Sequence, residues 1–307
     1  MRVLVVGYGS IGSRHCEVLS SLGHEVEVLT SKDLKEFKSY KSFEEIPLSE
    51  FDYFVIATPT NKHFENLEFL NKNVKNKIIF CEKPLFESKK AYLELENSVF
   101  VGYVLRYHPL LLRLKNELKN EKIIYAQAKC SSYLPTWRPN TDYRASYSSD
   151  KERGGGVLLD LSHEIDYLLW LLGDFELSFS MDEKISDLEI SSNDFCAFFA
   201  KGKNGEIISV NLDYISKITQ RTLLIETLNK TFLLDFIAGG LKIADKNGEI
   251  LEFLVKIERN SSFKAMHEDI LGKKEFACGY EFGLKTMEII NEVQRGINER
   301  GTMHHLR

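Results

Sequence analysis

Two groups of residues in this 307-residue chain have the types and spacing to do chemistry. The first is Gly7-Tyr8-Gly9-Ser10-Ile11-Gly12, a GxGxxG that follows an apolar run and opens a helical pattern, the context a dinucleotide-binding turn requires. Gly7 permits the tight turn, Gly9 lets a pyrophosphate approach the backbone, and Gly12 lets helix and strand pack closely. Free N–H groups at the helix start, around Ser10 and Ile11, then face the phosphates. The bland alternative is a tight turn with no ligand. The next strand ends in Thr30-Ser31-Lys32, where an Asp or Glu would bind the ribose 2′-hydroxyl of NAD. Hydroxyls followed by a lysine suit a 2′-phosphate, so NADP is favoured over NAD; Asp33 keeps NAD open if it bends back. The second group lies on a helix predicted over 156–172. At about 100° per residue, Asp160, His163, Glu164 and Tyr167 share about a third of its circumference. A polar stripe on an otherwise greasy helix faces a cavity or a partner charge. A satisfied core histidine is the alternative for His163.

The elements that position these groups differ along the chain. Up to about residue 104, apolar runs (Val3–Val6, Val26–Leu29, Tyr53–Ala57, Ile78–Cys81, Val99–Val104) alternate with helical patterns near Ile11–Leu22, His63–Asn71 and Lys89–Glu96. This reads as a parallel sheet covered by helices. After about residue 120, strand-like runs follow one another, and Asn204-Gly205 and Asn247-Gly248 suit hairpin turns. This reads as an antiparallel meander, interrupted by the 156–172 helix and closed by a helix over Glu281–Gln294. The fold class is therefore α/β, with a dinucleotide-binding domain over 1–118 and an α+β domain with a large, mainly antiparallel open sheet over 119–307.

Forty basic and 45 acidic residues give a net charge of −5 and no pull toward nucleic acid. The five cysteines are scattered and never spaced as CxxC, against a disulfide framework and a zinc site. A metal on Asp160, His163 and Glu164 has no further ligand cluster behind it, so none is expected. The chain shows no signal-like start and no apolar run of about 18 residues, so a cytoplasmic protein away from membranes is expected.

Further motifs line up in order: Ala57-Thr58-Pro59-Thr60-Asn61-Lys62-His63, Glu82-Lys83-Pro84, and Gly154-Gly155-Gly156 leading to Asp160, His163 and Asp166. Together they resemble the glucose-fructose oxidoreductase / inositol dehydrogenase (Gfo/Idh/MocA) family, over nearly the whole chain. The resemblance implies a Rossmann domain, then a substrate domain on an open sheet. It implies hydride transfer between a nicotinamide and a carbon of a sugar, cyclitol or sugar nucleotide. It places Ala57, Thr58, Pro59, Asn61, His63, Glu82 and Lys83 beside the nicotinamide, and makes Lys83 and His163 the catalytic pair. The residue types agree: His163 could take a hydroxyl proton near neutral pH, and Lys83 could stabilise an alkoxide. The family's Asp stands four residues before the His, whereas Asp160 precedes His163 by three. Asp160 therefore either orients His163 or touches substrate.

The stretch Tyr133–Tyr147 holds four aromatics and two arginines. Aromatic faces suit sugar C–H faces, and arginine forks suit phosphate or carboxylate. Trp137, Arg138, Tyr143 and Arg144, with Arg106, are expected to meet an anionic sugar, such as a nucleotide sugar or sugar phosphate; an oligomer-interface loop is the alternative reading. Family members often pair through open sheet faces, so a homo-oligomer, dimer or tetramer, is expected. A non-enzymatic dinucleotide- or sugar-sensing regulator would lose the catalytic pair, and a reductase of a non-sugar would keep it.

Overall fold

A computed structural model describes residues 1–138 and 141–299; Pro139 and Asn140 of the aromatic–basic stretch lie outside the described residues. In chain order the strands are β1 (Arg2–Val6), β2 (Glu25–Leu29), β3 (Lys38–Tyr40), β4 (Tyr53–Ile56), β5 (Ile78–Cys81), β6 (Ser98–Val101), β7 (Ile123–Tyr133), β8 (Phe175–Glu183), β9 (Phe195–Gly202), β10 (Ile207–Asp213), β11 (Ile215–Thr227), β12 (Lys230–Asp235), β13 (Gly240–Asp245), β14 (Ile250–Leu254) and β15 (Cys278–Gly279). The helices are α1 (Ser10–Ser21), α2 (His63–Asn73), α3 (Pro109–Glu117), α4 (Val157–Asp160), α5 (His163–Leu172), α6 (Ser261–Leu271) and α7 (Tyr280–Glu299). Among the described residues no helix is long and apolar enough to cross a membrane.

The chain forms two compact units, Met1–Tyr107 with Glu258–Met287, and His108–Ile257 with the chain from Glu288. These units differ from the expected division at residues 118 and 119 in two ways. Helix α3 lies against β12 and β13 and buries Leu110, Leu111 and Leu114, so the first boundary falls before it. Helix α6 returns to the first unit, where Phe263, Met266 and Ile270 share a core with Val3, Val5 and Val28.

The first unit is built on the sheet β15-β6-β5-β4-β1-β2-β3, parallel except at β15. Val3–Val6 and Tyr53–Ile56 are buried throughout, as strands covered on both faces must be. The helix expected over Lys89–Glu96 does not form. Side chains from elsewhere take its backbone groups: Asn71 binds the Glu94 carbonyl and the Glu96 N–H, and the Tyr280 hydroxyl accepts from the Leu93 N–H. Tertiary partners here override a helical pattern for which Ser88 is a plausible N-cap.

The second unit is built on the sheet β14-β13-β12-β11-β7-β10-β9-β8. It is mainly antiparallel, but β10 runs parallel to β7, so it is not a plain meander. Strands β8 and β13 were not legible in the sequence. Gly205 and Gly248 sit at φ of +90° and +82°, the conformation the two Asn-Gly turns supply. Helix α5 lies against β7, and α4 against β9 and β10. On the opposite face, register puts Phe179, Phe199, Ser209, Gln127, Leu224 and Leu233 in one row across six strands. Phe179 and Phe199 on that face are 52% and 51% exposed.

Candidate active site

Four adjacent strands of the first unit, β5-β4-β1-β2, end in Cys81, Ile56, Val6 and Leu29, and the candidate residues follow at those carboxyl ends. In an open parallel sheet that edge is where ligands bind. Backbone bonds knit the loops together: Gly7 N–H to Leu29 O, Ala57 N–H to Val6 O, and Glu82 N–H to Ile56 O, at 2.8–2.9 Å. Gly7 has φ +102°, and a Cβ there would stand 2.8 Å from Ala57 O. A Cβ on Gly12 would stand 2.1 Å from Gly7 O, so α1 packs directly on the turn. A Cβ on Gly9 would meet nothing within 4 Å. Gly9 is also the N-cap of α1, with no side-chain cap and no acid in the first turn. The helix start, with Ser10 exposed, is thus open on its amino end, and the residues fit a pyrophosphate.

Beyond β2 the Thr30 hydroxyl accepts from the Lys32 N–H at 3.2 Å, and Lys32 Nζ donates to Tyr8 O at 3.0 Å. Lys41, which sequence reasoning missed, donates to Ser31 O, Lys32 O and, at 2.6 Å, Asp33 Oδ1. Asp33 is fully exposed, and its bond to Lys41 holds its carboxyl below the usual range. Finding Lys41 required seeing β3, a three-residue strand with no strong pattern.

The Thr58-Pro59 turn and the Glu82-Lys83-Pro84 loop are joined by His63. Its ring lies between Pro84 O at 2.9 Å and Thr58 O at 3.0 Å, and burial lowers its pKa. With both nitrogens against carbonyls, His63 holds the two loops together through their backbone. Pro59 is exposed, and Asn61 and Lys83 are half-buried. The Lys83 N–H donates to Glu82 Oε2 at 3.1 Å.

In the second unit the predicted single helix is broken at Leu161 and Ser162 into α4 and α5. The break undoes the shared polar stripe, and its members take separate partners. Asp160 accepts from the hydroxyls of Tyr147 and Tyr214, the latter at 2.5 Å. Burial pushes both phenols well above their ordinary range, and the Asp160 charge adds to it. Glu164 accepts two bonds from Arg221 at 2.7 and 2.9 Å. Tyr167 stacks on Phe236. His163 begins α5 and is 8% exposed. Through Tyr147, Asp160 also ties α4 to the aromatic–basic loop.

That loop does hold a narrow crevice lined by Leu134, Trp137, Arg138, Tyr143 and Ser148. Trp137 packs edge-on against Tyr214 and donates to Ser132 Oγ. The three arginines expected at an anionic sugar lie in different surroundings. Arg144 is held by Asp142 and Glu189. Arg106 is buried in the first unit, over the Phe282 ring at 4.2 Å. Arg138 remains exposed at the crevice. His108, also unforeseen, is buried against Phe236 with its pKa lowered to about 4 by burial and the Arg221 charge.

Residues 1–99 match the GFO_IDH_MocA family model, an oxidoreductase family with an NAD-binding Rossmann fold. The match covers the amino-terminal third of the chain. Among curated relatives, a 2,7-anhydro-N-acetylneuraminate hydratase of Escherichia coli K12 is 28% identical over 137 residues, 42% of this chain and 36% of that protein. An inositol 2-dehydrogenase/D-chiro-inositol 3-dehydrogenase of Lactiplantibacillus plantarum is 24% identical over 195 residues, 56% of this chain and 53% of that protein. The chain thus spans about a third and about half of the lengths of these two relatives. Among solved structures, UDP-N-acetylglucosamine 3-dehydrogenase GnnA of Acidithiobacillus ferrooxidans superposes with a TM-score of 0.77 at 18% identity, covering 96% of this chain and 97% of that one. That likeness extends the shared fold across both units: a Rossmann-like parallel unit and a second, mainly antiparallel one.

Proposed function

We propose that this chain oxidises a CH–OH group of a sugar-type substrate, with a nucleotide sugar the favoured class. The observation that carries the redox reading is the open, uncapped start of α1 at Gly9, on the same sheet edge as Lys83. A bound NAD(P)+ supplies the hydride acceptor. The substrate hydroxyl gives its proton to His163, and Lys83 stabilises the oxygen while its charge develops. The carbon–hydrogen pair leaves as hydride, and a carbonyl remains. The sugar class is supported by the dehydrogenases among the relatives, and the nucleotide sugar by the UDP-sugar enzyme that shares the fold. Arg138, exposed beside Trp137, is the cation offered to its phosphates.

NADP is the favoured cofactor on our reading. The Lys41 ammonium lies at the Ser31 turn and also pairs with Asp33, and the Lys32 ammonium lies on Tyr8 O of the glycine turn. Self-association through the exposed Phe179 and Phe199 on the open sheet face belongs to the same proposal, and so does a cytoplasmic location. A second reading, addition or removal of water with no net change in cofactor, is favoured by the hydratase among the relatives.

One experiment separates these. Free sugars, cyclitols and nucleotide sugars are incubated with NAD+ or NADP+, and both nicotinamide absorbance and substrate loss are followed. Reduction of NADP+ by a nucleotide sugar, abolished in His163→Ala and Lys83→Ala, is the expected result. Substrate loss without cofactor reduction would favour the water-transfer reading. Dinucleotide binding with no turnover of any kind would point to a sensor.

A further inference from the structure

The first unit buries two histidines that hydride transfer itself does not use. His15 on α1 and His267 on α6 have no exposed surface. His15 Nε2 lies 2.8 Å from Glu82 Oε1, and His15 Nδ1 lies 2.8 Å from His267 Nε2. His267 Nδ1 lies 2.9 Å from the Tyr53 hydroxyl, itself fully buried. Phe80 and Phe263 wall the histidines, with ring centroids 5.1 and 5.5 Å from that of His15.

The chemistry of the groups sets the direction of this chain. A carboxylate only accepts, so a Glu82 carboxylate requires an N–H at His15 Nε2. A neutral His15 then accepts at Nδ1, which requires an N–H at His267 Nε2. His267 Nδ1 is left to accept from Tyr53. Burial drives the His267 pKa well below its ordinary value, which suits a neutral ring. Each polar hydrogen is used once, and all run toward Glu82. The other Glu82 oxygen accepts the Lys83 N–H. The space around the carboxylate is closed as well, since a Cβ on Gly102 would stand 3.0 Å from Glu82 Oε1.

We propose that His15, backed by His267 and Tyr53, is a positioning residue for Lys83. The relay fixes Glu82, Glu82 fixes the Lys83 backbone, and the ammonium is presented from a rigid loop. The inference rests on the role given to Lys83 above.

The test uses the full chain and four variants, Tyr53→Phe, His15→Leu, His267→Leu and His267→Gln. Lysines are labelled by reductive 13C-methylation, and the Lys83 methyl signal is assigned with Lys83→Arg. Turnover and NADPH affinity are measured on unlabelled protein. His267→Leu should move the Lys83 signal and lower kcat about tenfold or more, as displaced catalytic groups do. NADPH affinity should change by no more than about twofold, because the lost interaction is one of the reaction step. His267→Gln, whose amide can accept from Tyr53 and donate to His15, should recover most of the loss. Tyr53→Phe, which removes one hydroxyl and little volume, should move the Lys83 signal in the same direction. An unmoved Lys83 signal in His267→Leu, or equal damage from Gln and Leu, would overturn the proposal in favour of mere packing. If the wild-type chain oxidises no sugar, the proposed reaction falls alone, and the Lys83 signal still decides the relay.

Discussion

Removing Arg221 tests how α5, the helix that carries His163, is held. Arg221 on β11 makes two bonds to Glu164, whose side chain has no exposed surface. Substituting methionine leaves a buried carboxylate without its fork, which costs about 3–5 kcal/mol in buried pairs. Removing both charges is close to neutral in such systems, so Arg221→Met with Glu164→Gln should regain about 2 kcal/mol or more of the loss. Arg221→Lys keeps the charge but loses the two-pronged geometry, and should cost about 1–2 kcal/mol. The assay is urea unfolding followed by tryptophan fluorescence. The two tryptophans, Trp137 and Trp170, both lie in His108–Ile257, so the signal reports this unit. With a slope of about 2 kcal/mol per molar urea, the single variant should unfold about 2 M earlier. A loss under about 1 kcal/mol, or a double variant as weak as the single one, would refute the view that this pair is a matched, desolvated clamp.

Acid should destabilise the chain through its buried histidines. His63, His108 and His267 have lowered pKa values, so unfolding takes up protons once the pH falls below the ordinary 6.5. For His108, held to about 4, the stabilisation is present above pH 6.5 and lost as the pH falls toward 4. That window corresponds to about 3 kcal/mol, and an unfolding midpoint equal at both ends of it would refute the assignment. Lys41→Ala should weaken NADP+ about tenfold, the value of one charge-assisted bond, and spare NAD+; equal losses measured by titration would remove Lys41 from 2′-phosphate binding. Asp160→Asn should cost about 1–3 kcal/mol by leaving one of two buried phenols without an acceptor, read by the same tryptophan signal. Phe179→Lys with Phe199→Lys should reduce the particle mass in light scattering to that of one chain, and an unchanged mass would exclude the open face as the interface.

What the sequence revealed and what it hid follow from how far apart the interacting residues lie. The glycine turn is local: Gly7 and Gly12 are five positions apart and touch each other, so the pattern alone specifies the geometry. The apolar strands of the first sheet are legible because burial on both faces leaves unbroken runs. The polar stripe from Asp160 to Tyr167 was legible as an anomaly, but periodicity assumes one continuous helix. Asp160 is tied instead to Tyr214, 54 residues away, and Glu164 to Arg221, 57 away. The same distance problem hid the fate of Arg144, one of whose acids is Glu189, and the loss of the helix over Lys89–Glu96. It is most acute for the histidines. His15 falls in the helical pattern near Ile11–Leu22, His267 falls in no element read from the sequence, and the two lie 252 positions apart. Their partnership exists only because α6 leaves the second stretch of sequence and returns to the first unit. A boundary drawn once along the chain assigns His267 to the wrong unit and makes the relay invisible. The Glu82-Lys83-Pro84 loop is therefore readable as a motif, while the group behind it becomes readable only when the discontinuity of the unit is known.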